Sequence, residues 1–254
     1  MKIVRFTSPE HPIPRYGMWH GDHIRMMETD PFSRTAAAGS SEYVPVSDIS
    51  LLSPCMPTKI VAVGLNYRDH AAELGMPLPD EPLIFLKPPS SVTGPGREII
   101  LPEMSRRVDY EAELGVVIKK RASQVGPDDT DSYILGYTCL NDVTARDLQK
   151  KDVQFTRSKS FDTFCPVGPW IETELDPSDL SVQSRLNGKT VQASRTNRLI
   201  HSVSELVSFI SHCMTLEPGD LIATGTPRGV GPMKPGDEIV VSVEGIGELK
   251  NRAV

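Results

Sequence analysis

Three carboxylates stand where a cation could be held. In Asp109-Tyr110-Glu111-Ala112-Glu113-Leu114, the period of two of an extended chain sends Asp109, Glu111 and Glu113 to one face. Like charges crowded in this way are tolerable on an open face, and costly on a partly buried one unless a cation neutralises them. The apolar run Leu114 to Ile118 that follows favours partial burial. A further carboxylate, Asp142, closes the apolar stretch Tyr133 to Leu140, at the kind of strand end from which a ligand projects into a cleft. An all-oxygen set suits Mg²⁺, Mn²⁺ or Ca²⁺, and the lack of a His or Cys neighbour disfavours zinc and copper. On the residues alone, a cation site and a solvated acidic face are both open.

A second pair is His70 and Glu73, three apart, which meet on one side of a helical turn. A carboxylate in that position orients an imidazole and raises its basicity, equipping it to take a proton. A local ion pair on a surface helix is the other reading. Lys87, in Phe85-Leu86-Lys87-Pro88, and Lys159, in Arg157-Ser158-Lys159-Ser160-Phe161, lie beside apolar segments. Each can stabilise developing negative charge or rest its stem on the surface. The glycine-rich stretch Ala223 to Gly231 lacks the Gly-Lys-Ser/Thr ending and following helix of a nucleotide loop, so close backbone approach to a small anion is preferred.

The elements that must position these groups are mostly strands. Ile3 to Phe6, Gly17 to His20 and Ile24 to Met27 predict a small hairpin system with a Gly21-Asp22 turn. Residues 30–58, rich in Ala, Ser, Gly and Pro, read as a linker. Strands are expected at Ile60 to Leu65, Leu83 to Leu86, Val108 to Ile118 and Tyr133 to Leu140. Short helical segments are expected at Arg68 to Leu74, stopping at Gly75, and at Val143 to Lys151. The clearest helix is His201 to Met214, with Val203, Leu206, Val207, Ile210 and Met214 on one face. Pro218-Gly219 and Pro235-Gly236 suit type II turns that launch strands, so the C-terminal third is expected to be largely β.

A chain of 254 residues is long enough to bury a real core. Its formal charge of -6, without a Lys/Arg cluster, argues against a nucleic-acid or anionic-membrane partner. Lys119 to Arg121 and Lys150 with Lys151 read as solvated faces. No apolar run approaches the roughly 20 residues of a membrane helix, and the start Met1 to Phe6 lacks the apolar core of a secretion signal. A cytoplasmic protein is expected. Cys55, Cys139, Cys165 and Cys213 lack CxxC spacing and read as free thiols.

Taken in order, these segments resemble the fumarylacetoacetate hydrolase family. The resemblance runs through Gly64-Leu65-Asn66-Tyr67 with His70 and Glu73, Phe85-Leu86-Lys87-Pro88, Asp109 to Leu114 and Asn141-Asp142-Val143-Thr144-Ala145-Arg146-Asp147. It continues through Lys159-Ser160-Phe161-Asp162, Pro218-Gly219-Asp220, Gly225-Thr226-Pro227 and Gly229-Val230-Gly231, and covers about residues 58–250. It implies an α+β, predominantly β fold, a mixed β-sandwich roll, with a small N-terminal β domain and linker at residues 1–57 and a catalytic domain at residues 58–254. It implies a homodimer, and Mg²⁺ or Mn²⁺ (with Ca²⁺ as a possible substitute in crystals) on the residues matching Glu111, Glu113 and Asp142, with Asp109 behind them. By the same likeness, His70 and Glu73 form a proton-moving dyad on a lid segment, Lys159 and Gln149 lie close to metal and substrate, Arg146 and Thr226 help to hold a carboxylate, and Lys87 is a further substrate contact.

The implied chemistry is hydrolytic cleavage of a carbon-carbon bond in an acylpyruvate-type 2-oxo acid such as fumarylpyruvate. Decarboxylation or isomerisation of a dicarboxylic 2-oxo acid, oxaloacetate or a hydroxydienedioate, uses the same enolate. A silent metal-binding scaffold predicts loss of the dyad or a ligand, and neither is lost. The chain departs from the pattern at Leu65, where the acylpyruvase-like branch carries Arg, and near Thr196, where Arg198 and His201 replace an acidic and an aromatic residue.

Overall fold

Alternating apolar residues at the start of the chain form the expected hairpins. In the computed structural model, which describes residues 1–33 and 39–254, strands Lys2–Thr7, Arg15–His20 and His23–Met27 pair antiparallel in succession, burying Val4, Phe6, Ile24 and Met26 together. The linker expected at residues 30–58 is partly β: Gly39–Pro45 pairs with His23–Met27, and Ser50–Leu52 pairs with Lys2–Thr7. Gly39–Pro45 escaped notice because only Val44 of it is buried, so it carries no apolar period. The stretch of that linker at residues 34–38 lies outside the described residues.

Among the described residues the strands form three sheets, none closed, giving the α+β, mainly β architecture. The largest has twelve strands. Its centre runs from Lys2–Thr7 through Cys165–Glu172, Ile134–Asn141, Ala112–Ile118, Leu221–Ala223 and Ile60–Gly64 to the edge strand Leu83–Lys87. Pairing along this path is antiparallel except between Leu221–Ala223 and Ile60–Gly64. A five-stranded sheet containing Ser181–Leu186, Glu238–Val243 and Gly247–Ala253 faces it across the main core, which includes Leu114, Val116, Val182 and Val241. The third sheet joins Thr144–Ala145, Val108–Tyr110 and Gly231–Met233.

Three of the α-helices fall close to where the sequence puts them, and the four-residue one at Thr156–Lys159 was not expected. Helix α1 spans Arg68–Leu74 and stops at Gly75, α2 spans Arg146–Asp152, α3 spans Thr156–Lys159 and α4 spans Val203–Cys213. Val143 to Ala145 belong to a strand and its approach rather than to α2. Ser202 caps α4: its hydroxyl accepts the Glu205 amide while the Glu205 carboxylate accepts the Ser202 amide, satisfying two free N–H groups of the first turn. Val203, Leu206, Val207 and Ile210 then face the main core. Both Pro-Gly turns form, with Gly219 at φ +85° and Gly236 at +94°, and each launches a strand. All four cysteines are free, and among the described residues no helix is long and apolar enough to cross a membrane.

One expected element divides. Val108 to Ile118 is two strands, Val108–Tyr110 and Ala112–Ile118, which belong to different sheets. The break falls at Glu111, whose amide donates to Asn141 Oδ1 at 2.9 Å, and at Ala112, whose amide donates to Gln192 Oε1 at 3.0 Å. Two buried side chains satisfy the donors that a ladder would otherwise take, so the chain can leave one sheet and enter the other without stranding a polar group.

Candidate active site

The break at Glu111 assembles the site. The Asp142 amide donates to the Glu111 carbonyl at 2.9 Å, fixing the end of Ile134–Asn141 beside the crossover. One carboxylate oxygen from each of Glu111, Glu113 and Asp142 then lies within 4.8 Å of the others, and all three residues are buried. The solvated-face reading is thereby excluded. Asp109 diverges from them, its carboxylate held by Arg107 Nε and Arg146 Nε, each at 2.9 Å.

Buried basic groups offset most of this charge. Lys159 Nζ donates to Glu111 Oε2 at 2.9 Å and Asp142 Oδ2 at 2.5 Å, and Lys87 Nζ lies 2.7 Å from Asp142 Oδ1. Arg146 donates to Glu111 Oε1, Asp109 Oδ2 and Gln149 Oε1. Burial alone would raise the Glu111 carboxyl, but Lys159 and Arg146 outweigh it and hold it below the ordinary range. Glu113 has no such partner among the described residues; Gly225 N donates to its Oε2 at 2.7 Å. Burial, then Asp142 and Glu111, push its carboxyl well above the usual value.

That imbalance tests the fit of a metal. Three buried, all-oxygen donors, one of them destabilised as an anion by burial and by its two acidic neighbours, match a hard divalent cation such as Mg²⁺ or Mn²⁺.

The three carboxylates line a cavity of about 330 Å³ whose wall also includes His70, Arg146, Gln149, Lys159 and Thr226. His70 Nδ1 pairs with Glu73 Oε2 at 3.0 Å, and both Glu73 oxygens accept the Gly229 amide at 3.2 Å. With Glu73 ionised, that contact places the imidazole proton on Nδ1 and leaves Nε2 with its lone pair. The Thr226 hydroxyl spends its proton on the Ala112 carbonyl, at 3.0 Å, and accepts from Gln192 Nε2 at 2.9 Å, so it orders the crossover rather than offering a free donor.

Lys87 is not brought to the cavity wall. It is fully buried, with Nζ donating to the Lys159 carbonyl at 2.6 Å and the Val143 carbonyl at 3.3 Å. The surface reading fails because the edge strand Leu83–Lys87 turns this side chain inward behind Asp142, where it serves as counter-charge.

Three residues to which the sequence assigned no role hold this arrangement: Asn66 and Asn141 stand in the resembling segments, and Gln192 lies outside them. Asn141 and Gln192 cap the crossover, and the Asn66 side chain bridges His201 and Thr224, with Oδ1 accepting the His201 amide at 2.8 Å and Nδ2 donating to the Thr224 carbonyl at 2.8 Å. Asn141, a polar end to an apolar strand, carried a visible signal. Gln192, in a polar run far along the chain, carried none.

The description "Fumarylacetoacetate (FAA) hydrolase C-terminal" matches residues 59–254, and "Rv2993c-like, N-terminal" matches residues 1–54. A mitochondrial oxaloacetate tautomerase of Bos taurus is 36% identical, over 100% of this chain and 92% of that protein. The crystal structure of 5-carboxymethyl-2-hydroxymuconate delta-isomerase from Mycobacterium smegmatis superposes with a TM-score of 0.93 at 42% identity, over 100% of this chain and 99% of the other. Maleylpyruvate hydrolase from Sphingobium sp. SYK-6, solved in complex with manganese (II) ion and pyruvate, superposes with a TM-score of 0.82 at 31% identity, over 100% and 99%.

Proposed function

Because this chain belongs to the fumarylacetoacetate hydrolase family of enzymes, we propose that it is a divalent-metal-dependent hydrolase that cleaves a carbon-carbon bond in an acylpyruvate-type 2-oxo acid. The observation that carries this reading is the meeting, in one cavity, of three buried carboxylates with a histidine whose Nδ1 is held by Glu73. Mg²⁺ or Mn²⁺ on Glu111, Glu113 and Asp142 would supply Lewis-acid polarisation of the substrate's 2-oxo group.

The chain's own groups do the rest. Glu73 holds His70 Nδ1, so Nε2 takes a proton from water, and the water oxygen adds to the acyl carbonyl. General-base help of this kind is worth about 10²-fold to 10⁴-fold. As the carbon-carbon bond breaks, its electron pair passes to the pyruvate fragment, and the Lys159 ammonium, already inside the carboxylate cluster, offsets the negative charge that develops there. The released carbon takes a proton to give pyruvate, and the acyl fragment leaves as an acid.

A second reading keeps the proton transfer and omits water: tautomerisation, isomerisation or decarboxylation of a 2-oxo dicarboxylic acid. The full-length likeness to a tautomerase and an isomerase favours it. Incubating acylpyruvates, oxaloacetate and hydroxydienedioates with Mg²⁺, Mn²⁺ or EDTA separates the two. Metal-dependent release of pyruvate with a second acid is expected; isomer or carbon dioxide without a second acid selects the other reading. His70→Ala is expected to lower turnover by about 10²-fold or more while metal affinity, measured by calorimetry, stays unchanged. Equal loss of both would give His70 a structural role.

A further inference from the structure

Two stretches of chain give chemically different parts of the cavity wall. Its basic lining groups, Arg146, Lys150 and Lys159, all stand on α2 and α3, beside the carboxylates. A second part of the wall comes from residues 63–85 and includes Leu65, Leu74, Met76, Leu83 and Phe85. Among the described lining residues, His70 is the ionisable group on that stretch, and its Nδ1 is already engaged by Glu73.

The apolar part is a built surface. Leu83 lies across the strand pair from Gly64, where an added Cβ would sit 3.2 Å from the leucine side chain, so the glycine lets Leu83 settle close over Ile60–Gly64. Phe85 marks the boundary between the two parts, with its ring 5.3 Å from that of Phe155 and 5.0 Å from Lys159 Nζ. Leu74, Met76 and Leu83 are more than half exposed, at 52%, 52% and 54%. Large side chains left open together beside a polar site mark a place where an apolar group is received.

We infer that the distal end of the substrate, the acyl group beyond the cleaved bond, is an uncharged hydrocarbon that lies on Leu65, Leu74, Met76 and Leu83, while the 2-oxo acid end faces α2, α3 and the carboxylates. This rests on the acylpyruvate reading and narrows it, away from substrates such as fumarylpyruvate that carry a second carboxylate at the far end. A carboxylate set against these side chains meets no lysine or arginine among the lining residues of this stretch, and each contact it makes with them replaces one with water. His70 stands on the same wall, so a substrate lying this way would bring its acyl carbonyl toward the water that His70 activates.

The test compares but-2-enoylpyruvate with fumarylpyruvate, which differ by methyl against carboxylate at the tip, together with the acetyl, butanoyl and hexanoyl compounds, in the metal-loaded protein. Expected is a preference of about tenfold or more in kcat/KM for the methyl compound, with a gain of about two- to fourfold per added methylene. Leu83→Lys should reverse the preference without altering metal affinity; Leu74→Lys serves as a second variant should the first fail to fold. Fumarylpyruvate turned over as well as its methyl counterpart would overturn this inference and leave the hydrolase reading standing. Variants that change the sedimenting mass but not the selectivity would assign the wall to a second copy of the chain and likewise overturn it. No turnover of any acylpyruvate would overturn the hydrolase reading and this inference with it.

Discussion

Glu111 and Asp142 each meet two basic groups, whereas Glu113 meets the Gly225 amide, so the uncompensated charge of the cluster rests on Glu113. Glu113→Gln removes that charge while keeping the shape. The metal-free variant is expected to melt no lower than the natural protein, and the rise in melting temperature on adding Mn²⁺ is expected to vanish. For the natural protein that rise corresponds to about 2.7 kcal/mol at a metal concentration 100 times Kd. A variant still stabilised by Mn²⁺ would remove Glu113 from the ligand set. The raised carboxyl also sets a pH dependence. A group whose pKa is higher in the folded state adds stability that is fully present below the unfolded carboxylate value and is lost as pH rises through the raised one. The metal-free protein should therefore lose stability as pH rises from the ordinary carboxylate range through the raised value of Glu113. Metal affinity should rise over the same interval, because the cation displaces a proton. Calorimetric titration with Mn²⁺ at both ends of that range checks it, and an affinity independent of pH would mean that Glu113 is already ionised.

At the scale of elements, the dyad depends on a loop far away in sequence. Glu73 on α1 is oriented by the Gly229 amide, and Gly229 holds φ at +94°, where an added Cβ would meet the Val191 carbonyl oxygen at 2.3 Å. A side chain there must displace the loop and withdraw the amide from Glu73. Gly229→Ala is expected to lower kcat about tenfold, toward the lower end of what general-base help is worth, with metal affinity retained; unchanged kcat would show that Glu73 holds His70 without the loop. This long-range tie was invisible in the sequence, although both partners were singled out separately. What was legible were features written in neighbouring residues: α1 with its Gly75 stop, the apolar face of α4, the Pro-Gly turns and the carboxylate spacing. The break at Glu111 was not, because its cause is Asn141 and Gln192, one on the next long strand and the other eighty residues on. Lys87 was misplaced for the same reason: burial on an edge strand depends on what covers it, here Asp142 and the backbone of Val143 and Lys159.

At the scale of the molecule, the N-terminal strands extend the sheet that carries the site. Lys2 and Ile3 pair with Glu172 and Ile171, the Met1 amine meets Glu172 Oε1 at 2.5 Å, and the rings of Trp19 and Trp170 lie 5.2 Å apart. Ile3 packs in the same cluster as Val117, Leu140 and Leu221, on strands next to the carboxylates. The strand Cys165–Glu172 that receives Lys2–Thr7 is itself the neighbour of Ile134–Asn141, which leads into Asp142. Separating the N-terminal strands would bare one edge of Cys165–Glu172 and part of the core behind the site. We therefore expect residues 1–57 and 58–254 to unfold as one cooperative unit. Both tryptophans lie at this seam, so their fluorescence reports on it, while release of bound Mn²⁺ reports on the site. In urea the two signals should change together. Phe6→Ala, at a fully buried side chain packed with Val4, Ile24 and Met26, should cost about 3–5 kcal/mol and shift both signals to lower urea by the same amount. Fluorescence loss at lower urea with Mn²⁺ still bound would divide the molecule at the linker, and Phe6→Ala would then move only the first of the two transitions.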